Sequence, residues 1–244
     1  MKLLAIETSA LVCSAAVMED ETLIGEFTIQ QKKTHSQMLM PMVEALREKL
    51  ELDLSSLDAI AVAGGPGSFT GLRIGSATAK GLASALNIPV VHVPTVDALA
   101  YRLCGSAGLV CPLMDARREQ TYTGIYAFEG NMMKKILPQC AIALPELAGR
   151  LNAEQSAVTF LGDGVPVFRE KLDQLLAVSH SFAPAHLSRQ SAASVAGLGM
   201  LYLREGRTET AAAHKPEYLR LSQAERVRAE QMQKENGAPD DADP

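Results

Sequence analysis

Two carboxylates close apolar runs of this chain: Glu7 ends "KLLAIE" and Asp115 ends "LVCPLMD". An apolar run of that length reads as a strand. Acids at two facing strand ends are what a site holding the Mg²⁺ of a nucleotide needs. A third feature lies between a predicted strand and a predicted helix, the stretch "GGPGSFTGLRIG" over 64–75. Gly64, Gly65 and Gly67 permit positive φ and close backbone approach. Thr70 can cap the helix that follows, and free amides at a helix start attract anions. Gly64, Gly65, Gly67, Ser68 and Thr70, with Glu7 and Asp115, therefore form the candidate phosphate-binding set. The competing reading of the same residues is a tight strand-to-helix turn.

Spacing excludes three common glycine-loop chemistries. A dinucleotide fingerprint fails because Thr70 stands where its third glycine belongs, and Gly71 comes one residue late. A Walker loop fails for want of the lysine, and the esterase elbow fails because Ser68 follows Gly67 directly. No catalytic residue and no metal ligand is assigned. His35, His92, His180, His186 and His214 are scattered, and Cys13, Cys104, Cys111 and Cys140 contain no C-x-x-C pair. Such cysteines read as small apolar residues of a reducing compartment.

The elements that must position these residues are legible as patterns. "KLLAIE" is a strand and "SAAVM…LIGEFTI" a hairpin. A helix spans about 36–50, with a Thr34/Gln37 capping box and an apolar stripe of Leu39, Val43, Leu46 and Leu50. "LDAIAVAGG" (strand), 71–86 (helix) and "IPVVHV" (strand) give a right-handed β-α-β crossover. "LVCPLMDARREQTYTGIYAFEGNMMKKI" repeats the opening theme of strand, acid, turn and hairpin. Two related lobes follow, the first over 1–104 and the second over 105–222. From Gln223 to residue 244 the chain is polar and acidic and is expected to be mobile.

The helix at 71–86 keeps Gly71, Gly75 and Gly81 although each costs up to about 1 kcal/mol in a helix. Leu72, Gly75, Ala79 and Leu82 line one face; Thr78 and Gly81 lie on another. One face must pack on the sheet, and the other suits a second helix at close range. Met38 and Met42 of the preceding helix are adaptable contact residues. Either these helices form a partner surface or they cover only each other.

Composition bounds the rest. Of 244 residues 47% are hydrophobic and the net charge is −5, without any Lys/Arg run. Independent nucleic-acid binding is not expected. Glu7 comes too early for a secretory apolar segment, and no stretch approaches a membrane span of about 18 residues. The expectation is a cytoplasmic protein.

"IETS", "GGPGSFTGLRIGSATAKGLA", "IPVV", "DARREQTY", "GDG" and "PEYLR" together resemble the bacterial TsaB (YeaZ) family, from residue 1 to about 220. The resemblance implies an α/β, two-lobed actin/Hsp70-like (ASKHA) ATPase fold, each lobe a mixed sheet with helices. It implies a non-catalytic subunit that binds TsaD, and through the complex TsaE, for threonylcarbamoylation of tRNA adenosine 37. TsaD carries a metal-binding H-x-x-x-H; laid on this chain, its histidines fall at Thr95 and Leu99, neither suited to that metal. The family pairs through first-lobe helices, which points to Met38, Met42, Leu72, Gly75, Thr78, Ala79, Gly81 and Leu82, with a homodimer when the chain is alone. No cofactor is required of this subunit, ATP belongs to the partner complex, and tRNA is met only through it. One departure is Glu7, where the family more often has Asp. The rival expectations are an independent ATP-dependent enzyme, kinase- or phosphatase-like, or a metallopeptidase of the same fold.

Overall fold

The computed structural model describes residues 1–31 and 34–219. The polar segment expected to be mobile from Gln223 lies outside them. Two five-stranded sheets carry the chain. The first contains β1 (Lys2–Glu7), β2 (Val12–Glu19), β3 (Thr22–Gln30), β4 (Ala59–Gly65) and β5 (Val90–Pro94), in the order β3-β2-β1-β4-β5. The helices α1 (His35–Lys49), α2 (Phe69–Leu86) and α3 (Thr95–Tyr101) connect or follow these strands. The second sheet contains β6 (Leu109–Asp115), β7 (Gln120–Glu129), β8 (Met132–Ala143), β9 (Val158–Leu161) and β10 (His180–Phe182), in the order β10-β9-β6-β7-β8. Its helices are α4 (Leu144–Glu154), α5 (Val165–Leu175) and α6 (Ala192–Arg204). Each half thus runs βββαβαβα, with an antiparallel meander followed by two parallel strands. The repeated opening read in the sequence is a full structural duplication.

Period-two alternation builds both cores. Leu4 and Ile6 of β1 face α1 and α2, with Ile60, Val62, Leu39, Val43 and Ala79. Leu3 and Ala5 face the other way, with Ala61, Val93, Val195 and Leu198. β1 and β4 are central strands buried on both faces, which is why they read as unbroken apolar runs. In the second sheet Leu109, Cys111 and Leu113 pack with Leu147, Leu151, Phe168 and Leu172 of α4 and α5. Val110 and Met114 pack with Val96, Leu99 and Ala100 of α3.

The closing helix of each half, α3 and α6, departs from a simple division at residue 104. α3, expected in the first lobe, packs largely on the second sheet, and α6, expected in the second, packs on the first. The return segment after α6 also joins the first lobe, where Val90 and Glu209 exchange two backbone hydrogen bonds of 2.9 Å. The reason is the unfilled inner faces: each sheet has its own two-helix cover outside and needs apolar cover inside. Asp97 of α3 ties the layers. It is 1% exposed, accepts from Tyr126 Oη at 2.8 Å and pairs with Lys135 of β8.

Local expectations hold with two corrections. The Thr34/Gln37 capping box does not form: Thr34 is the N-cap of α1, but its side chain makes no cap, and the Gln37 amide donates to the Thr34 carbonyl. His35 Nε2–H instead donates to the Ala10 carbonyl at 2.7 Å, fixing the helix start to the β1–β2 turn. α3 and the three-residue β10 carry too little periodicity to be read in advance.

Candidate functional site

A cleft of about 790 Å³ opens between the two sheets. Its floor is made by the β1–β2 turn (Ser9, Ala10, Leu11), the start of α2 and the β6–β7 turn (Asp115, Ala116, Arg117). His35, Asp163 and Tyr218 complete the walls.

The glycine loop forms one side of it, and its glycines are consumed by packing. A Cβ on Gly64 would sit 2.1 Å from the His92 ring, and on Gly65, whose φ is +120°, 2.1 Å from the Glu217 carbonyl oxygen. On Gly67 it would sit 2.4 Å from the Ser9 carbonyl oxygen, and on Gly71 2.0 Å from that of Thr8. The loop amides are also engaged. Gly65 N–H donates to Thr95 Oγ1 at 3.1 Å, Ser68 N–H to the Ser9 carbonyl at 2.7 Å, and Gly71 N–H to Ser68 Oγ at 3.3 Å. The cap of α2 is therefore Ser68, two residues before the expected Thr70, which lies exposed in the first turn. For Gly65, Ser68 and Gly71 the geometry matches the tight-turn reading, because their amides are already bonded within the chain; the first-turn residues Phe69 and Thr70 line the cleft.

Glu7 is buried beneath the cleft at 1% exposure and does not line it. Burial pushes its carboxyl up to about 7, although the Ser9 amide donates to it at 2.6 Å. Asp115 lines the cleft and is half-buried, accepting from the Arg117 amide at 2.8 Å. The structure adds a third acid that sequence reading did not assign, Asp163 in "GDG". Burial raises its pKa as well, while Gln190 donates to it at 3.2 Å. The signal was present: the acid follows Gly162, the second-half counterpart of Gly65. Thr8 and Ser9, which hold the loop to the β1–β2 turn, were also missed, because hydroxyls carry no periodic signal.

The proposed partner residues separate into two groups. Leu72, Gly75 and Ala79 face the sheet and Met42 is core, so these four are not surface. Gly75 is small because a Cβ there would lie 2.4 Å from Thr8 Oγ1 and 3.6 Å from Ile6 and Val62. Met38, Thr78 and Leu82 are half-buried at the α1–α2 seam, and Gly81 is exposed with nothing within 4 Å of its would-be Cβ. The small-residue argument therefore survives at Gly81 alone. Elsewhere intramolecular packing accounts for it.

Thr95 and Leu99 sit at the start and middle of α3, and both are buried. Thr95 Oγ1 holds the glycine loop and Leu99 lies in the core of the second sheet. Cys13 and Cys111 are buried, whereas Cys104 and Cys140 are only half-buried. The histidines are less scattered in space than in sequence: His92, Glu209 and His214 converge. Among the described residues no helix is long and apolar enough to cross a membrane.

A duplicated βββαβαβα unit, helices on both faces of each sheet and a cleft between them define a protein of the actin/Hsp70-like ATPase fold. The ROK hexokinase of Thermus thermophilus shares that fold at a TM-score of 0.50, with 12% identity over 84% of this chain and 100% of its own. YeaZ from Pseudomonas aeruginosa is more similar, at a TM-score of 0.77 and 29% identity over 89% of this chain and 99% of its own. A family model described as "TsaD: tRNA N6-adenosine threonylcarbamoyltransferase" matches residues 22–227. The "tRNA threonylcarbamoyladenosine biosynthesis protein TsaB" of Bacillus subtilis (strain 168) is 33% identical over 227 residues, 92% of this chain and 96% of that one. The chain belongs to the TsaB family.

Proposed function

We propose that this chain is a non-catalytic subunit in tRNA threonylcarbamoyladenosine biosynthesis, binding TsaD through the outer seam of α1 and α2. TsaE joins through that pair, and tRNA meets the chain only within the complex, in the cytoplasm. The same seam makes a homodimer when TsaD is absent. The chain itself requires no cofactor, and ATP belongs to the partner complex. The near full-length similarity to the Bacillus subtilis TsaB supports the pathway. One observation carries the non-catalytic reading. The two positions onto which the TsaD metal histidines fall are Thr95 and Leu99, and both side chains are committed to internal structure. Gly81 supports the seam. It lowers helix stability by up to about 1 kcal/mol relative to alanine, and no contact among the described residues explains it.

Gly81→Arg tests the seam directly. It leaves the fold intact, since the position is open, and it places a charge in a contact that must desolvate. A pull-down with TsaD is expected to lose at least tenfold in affinity, and the isolated variant is expected to run as a monomer on sizing. Wild-type binding and dimerisation by folded Gly81→Arg and Thr78→Arg would place the interface elsewhere.

The second reading, an independent ATP-dependent enzyme, is favoured by the acid-lined cleft with Asp115 and Asp163. ATP hydrolysis by the purified chain, abolished by Asp115→Asn, would establish it. The metallopeptidase reading has no such support in the cleft. The two acids that line it, Asp115 and Asp163, join no metal-type cluster with a histidine among the described residues.

A further inference from the structure

His92 stands more than a hundred residues before Glu209 and His214 in the chain, yet the fold brings the three together. His92 lies on β5, the edge strand of the first sheet, and Glu209 and His214 lie on the segment that returns after α6. One ligand-type atom from each residue lies within 4.8 Å of the others. His214 is 1% exposed, and Glu209 Oε1 sits 2.6 Å from its Nδ1. With a carboxylate there Nδ1 keeps its proton and donates it in a hydrogen bond, which leaves the lone pair on Nε2, the arrangement by which proteins orient a metal-binding imidazole. That Nε2 is buried and has no hydrogen-bond partner among the described residues. A buried ring nitrogen left without a partner is costly, so its persistence calls for something to meet it. The His92 ring faces it with centroids 5.7 Å apart, and no hydrogen bond of that ring is recorded among the described residues. His92 is itself placed tightly, since its ring fills the space where Gly64 has no side chain.

We propose that His92, Glu209 and His214 form a binding site for a divalent transition metal of the zinc class. The two imidazoles ligate, and the carboxylate fixes His214 and balances the ion's charge. Two imidazole nitrogens with a carboxylate behind one of them suit Zn²⁺ chemistry, with water in the remaining positions. Zinc–nitrogen bonds of about 2.0–2.1 Å bring two such nitrogens to about 3.3 Å from one another, an approach that a small shift of the half-buried His92 ring supplies.

The site would act as a clasp. Glu209 already pairs with Val90, and Lys80 Nζ donates to the His214 carbonyl at 3.0 Å. Three residues further on, the Glu217 amide donates to the Gly64 carbonyl at 2.7 Å and Tyr218 stacks on Phe69 at 4.9 Å. A metal at His92 and His214 would therefore lock the return segment onto the glycine loop and the edge of the cleft. This inference does not depend on the role proposed above.

The test uses the full chain, freed of metal by chelation and titrated with Zn²⁺, with Co²⁺ as a spectroscopic probe. The expected result is one Zn²⁺ per chain, a melting temperature that rises with zinc concentration, and a visible Co²⁺ absorption of nitrogen ligation. Glu209→Gln is expected to weaken zinc binding by about 10–100-fold and His92→Gln to abolish it. Both sites are half-exposed, so both variants fold even if His214→Ala does not. His186→Ala, on an exposed turn, serves as the control and is expected to bind as the unaltered chain does. A wild-type chain that neither binds Zn²⁺ nor gains stability from it overturns the proposal. So does undiminished binding by His92→Gln.

Discussion

The two halves of the molecule repeat one topology, yet they treat their acids in opposite ways. Glu7 and Asp115 end equivalent strands, β1 and β6, and each is followed by a turn into an antiparallel partner. The turn after Glu7 is sealed. Thr8 Oγ1 donates to the Gly71 carbonyl at 2.8 Å, and the Ser9 carbonyl accepts from Ser68 at 2.7 Å. The start of α2 thus lies directly on that turn. In the second half the corresponding glycines, Gly162 and Gly164, pack against Leu113 in the strand rather than against the turn. The turn after Asp115 stays open: Arg117, Arg118 and Glu119 stand at left-handed φ of 65°, 55° and 59°, and the Arg117 side chain is 86% exposed. A duplicated fold therefore does not give a duplicated site. Where the glycine loop lands decides whether a strand-end acid can face a ligand or must be buried.

The largest expected effect tests what the halves share. Gly65 ends β4 at φ +120° and Gly162 follows β9 at φ +107°, and a Cβ on either would lie 2.1 Å from a backbone carbonyl oxygen. Gly65→Ala and Gly162→Ala are each expected to destabilise the chain by about 3 kcal/mol or more, since backbone has to move and positive φ disfavours alanine. Urea unfolding measures both. A loss under 1 kcal/mol in one alone would break the equivalence.

The next effect sharpens what differs. Glu7 has a folded-state pKa of about 7 against 4.5 unfolded. Below 4.5 the carboxyl is protonated in both states and carries no penalty. As pH rises towards 7 the unfolded chain releases the proton while the folded chain keeps it, so stability falls through that window and the loss is complete above 7. Glu7→Gln, which keeps an acceptor for the Ser9 amide, is expected to stabilise the chain by on the order of 1–3 kcal/mol at pH 8 and by nothing at pH 4. Thermal melts across that range check it, and a gain independent of pH would refute the buried-acid account.

Smaller effects separate the two faces of α2 and the open turn. Gly75→Ala is expected to destabilise by about 1–3 kcal/mol because Thr8 Oγ1 occupies the space. Gly81→Ala is expected to stabilise by somewhat under 1 kcal/mol through helix propensity alone, and opposite signs in chemical denaturation are the test. Smallest is Arg118→Gly, which relieves a left-handed residue and is expected to gain up to about 1 kcal/mol. No gain there would mean that the turn's conformation carries little strain.

Much of the fold was legible because its central strands are apolar on both faces and its helices obey their period. The unbroken runs "KLLAI" and "AIAVA" could only be buried strands, and the stripe of Leu39, Val43 and Leu46 could only face a core. The candidate site was legible in part. The loop and Asp115, read from their positions at element ends, line the cleft, whereas Glu7, read in the same way, is buried beneath it. Asp163, Thr8 and Ser9 were not, because a side chain's neighbours across a cleft leave no mark on local spacing. The partner surface was read too broadly for a related reason. Small residues record close approach, but not of what: Gly71 and Gly75 admit Thr8, whereas Gly81 admits nothing among the described residues.

By itself, then, the sequence determined the strands and most of the helices, the repeated opening and the family, since each rests on residue order within a short span. The tertiary structure alone decided that α3 and α6 pack across the division between the halves, that Ser68 rather than Thr70 caps α2, and that Glu7 is sealed while Asp115 is open. It alone brought His92 beside His214. These outcomes depend on which surfaces meet once the sheets must cover their inner faces, and that choice is made by burial of apolar area over the whole molecule.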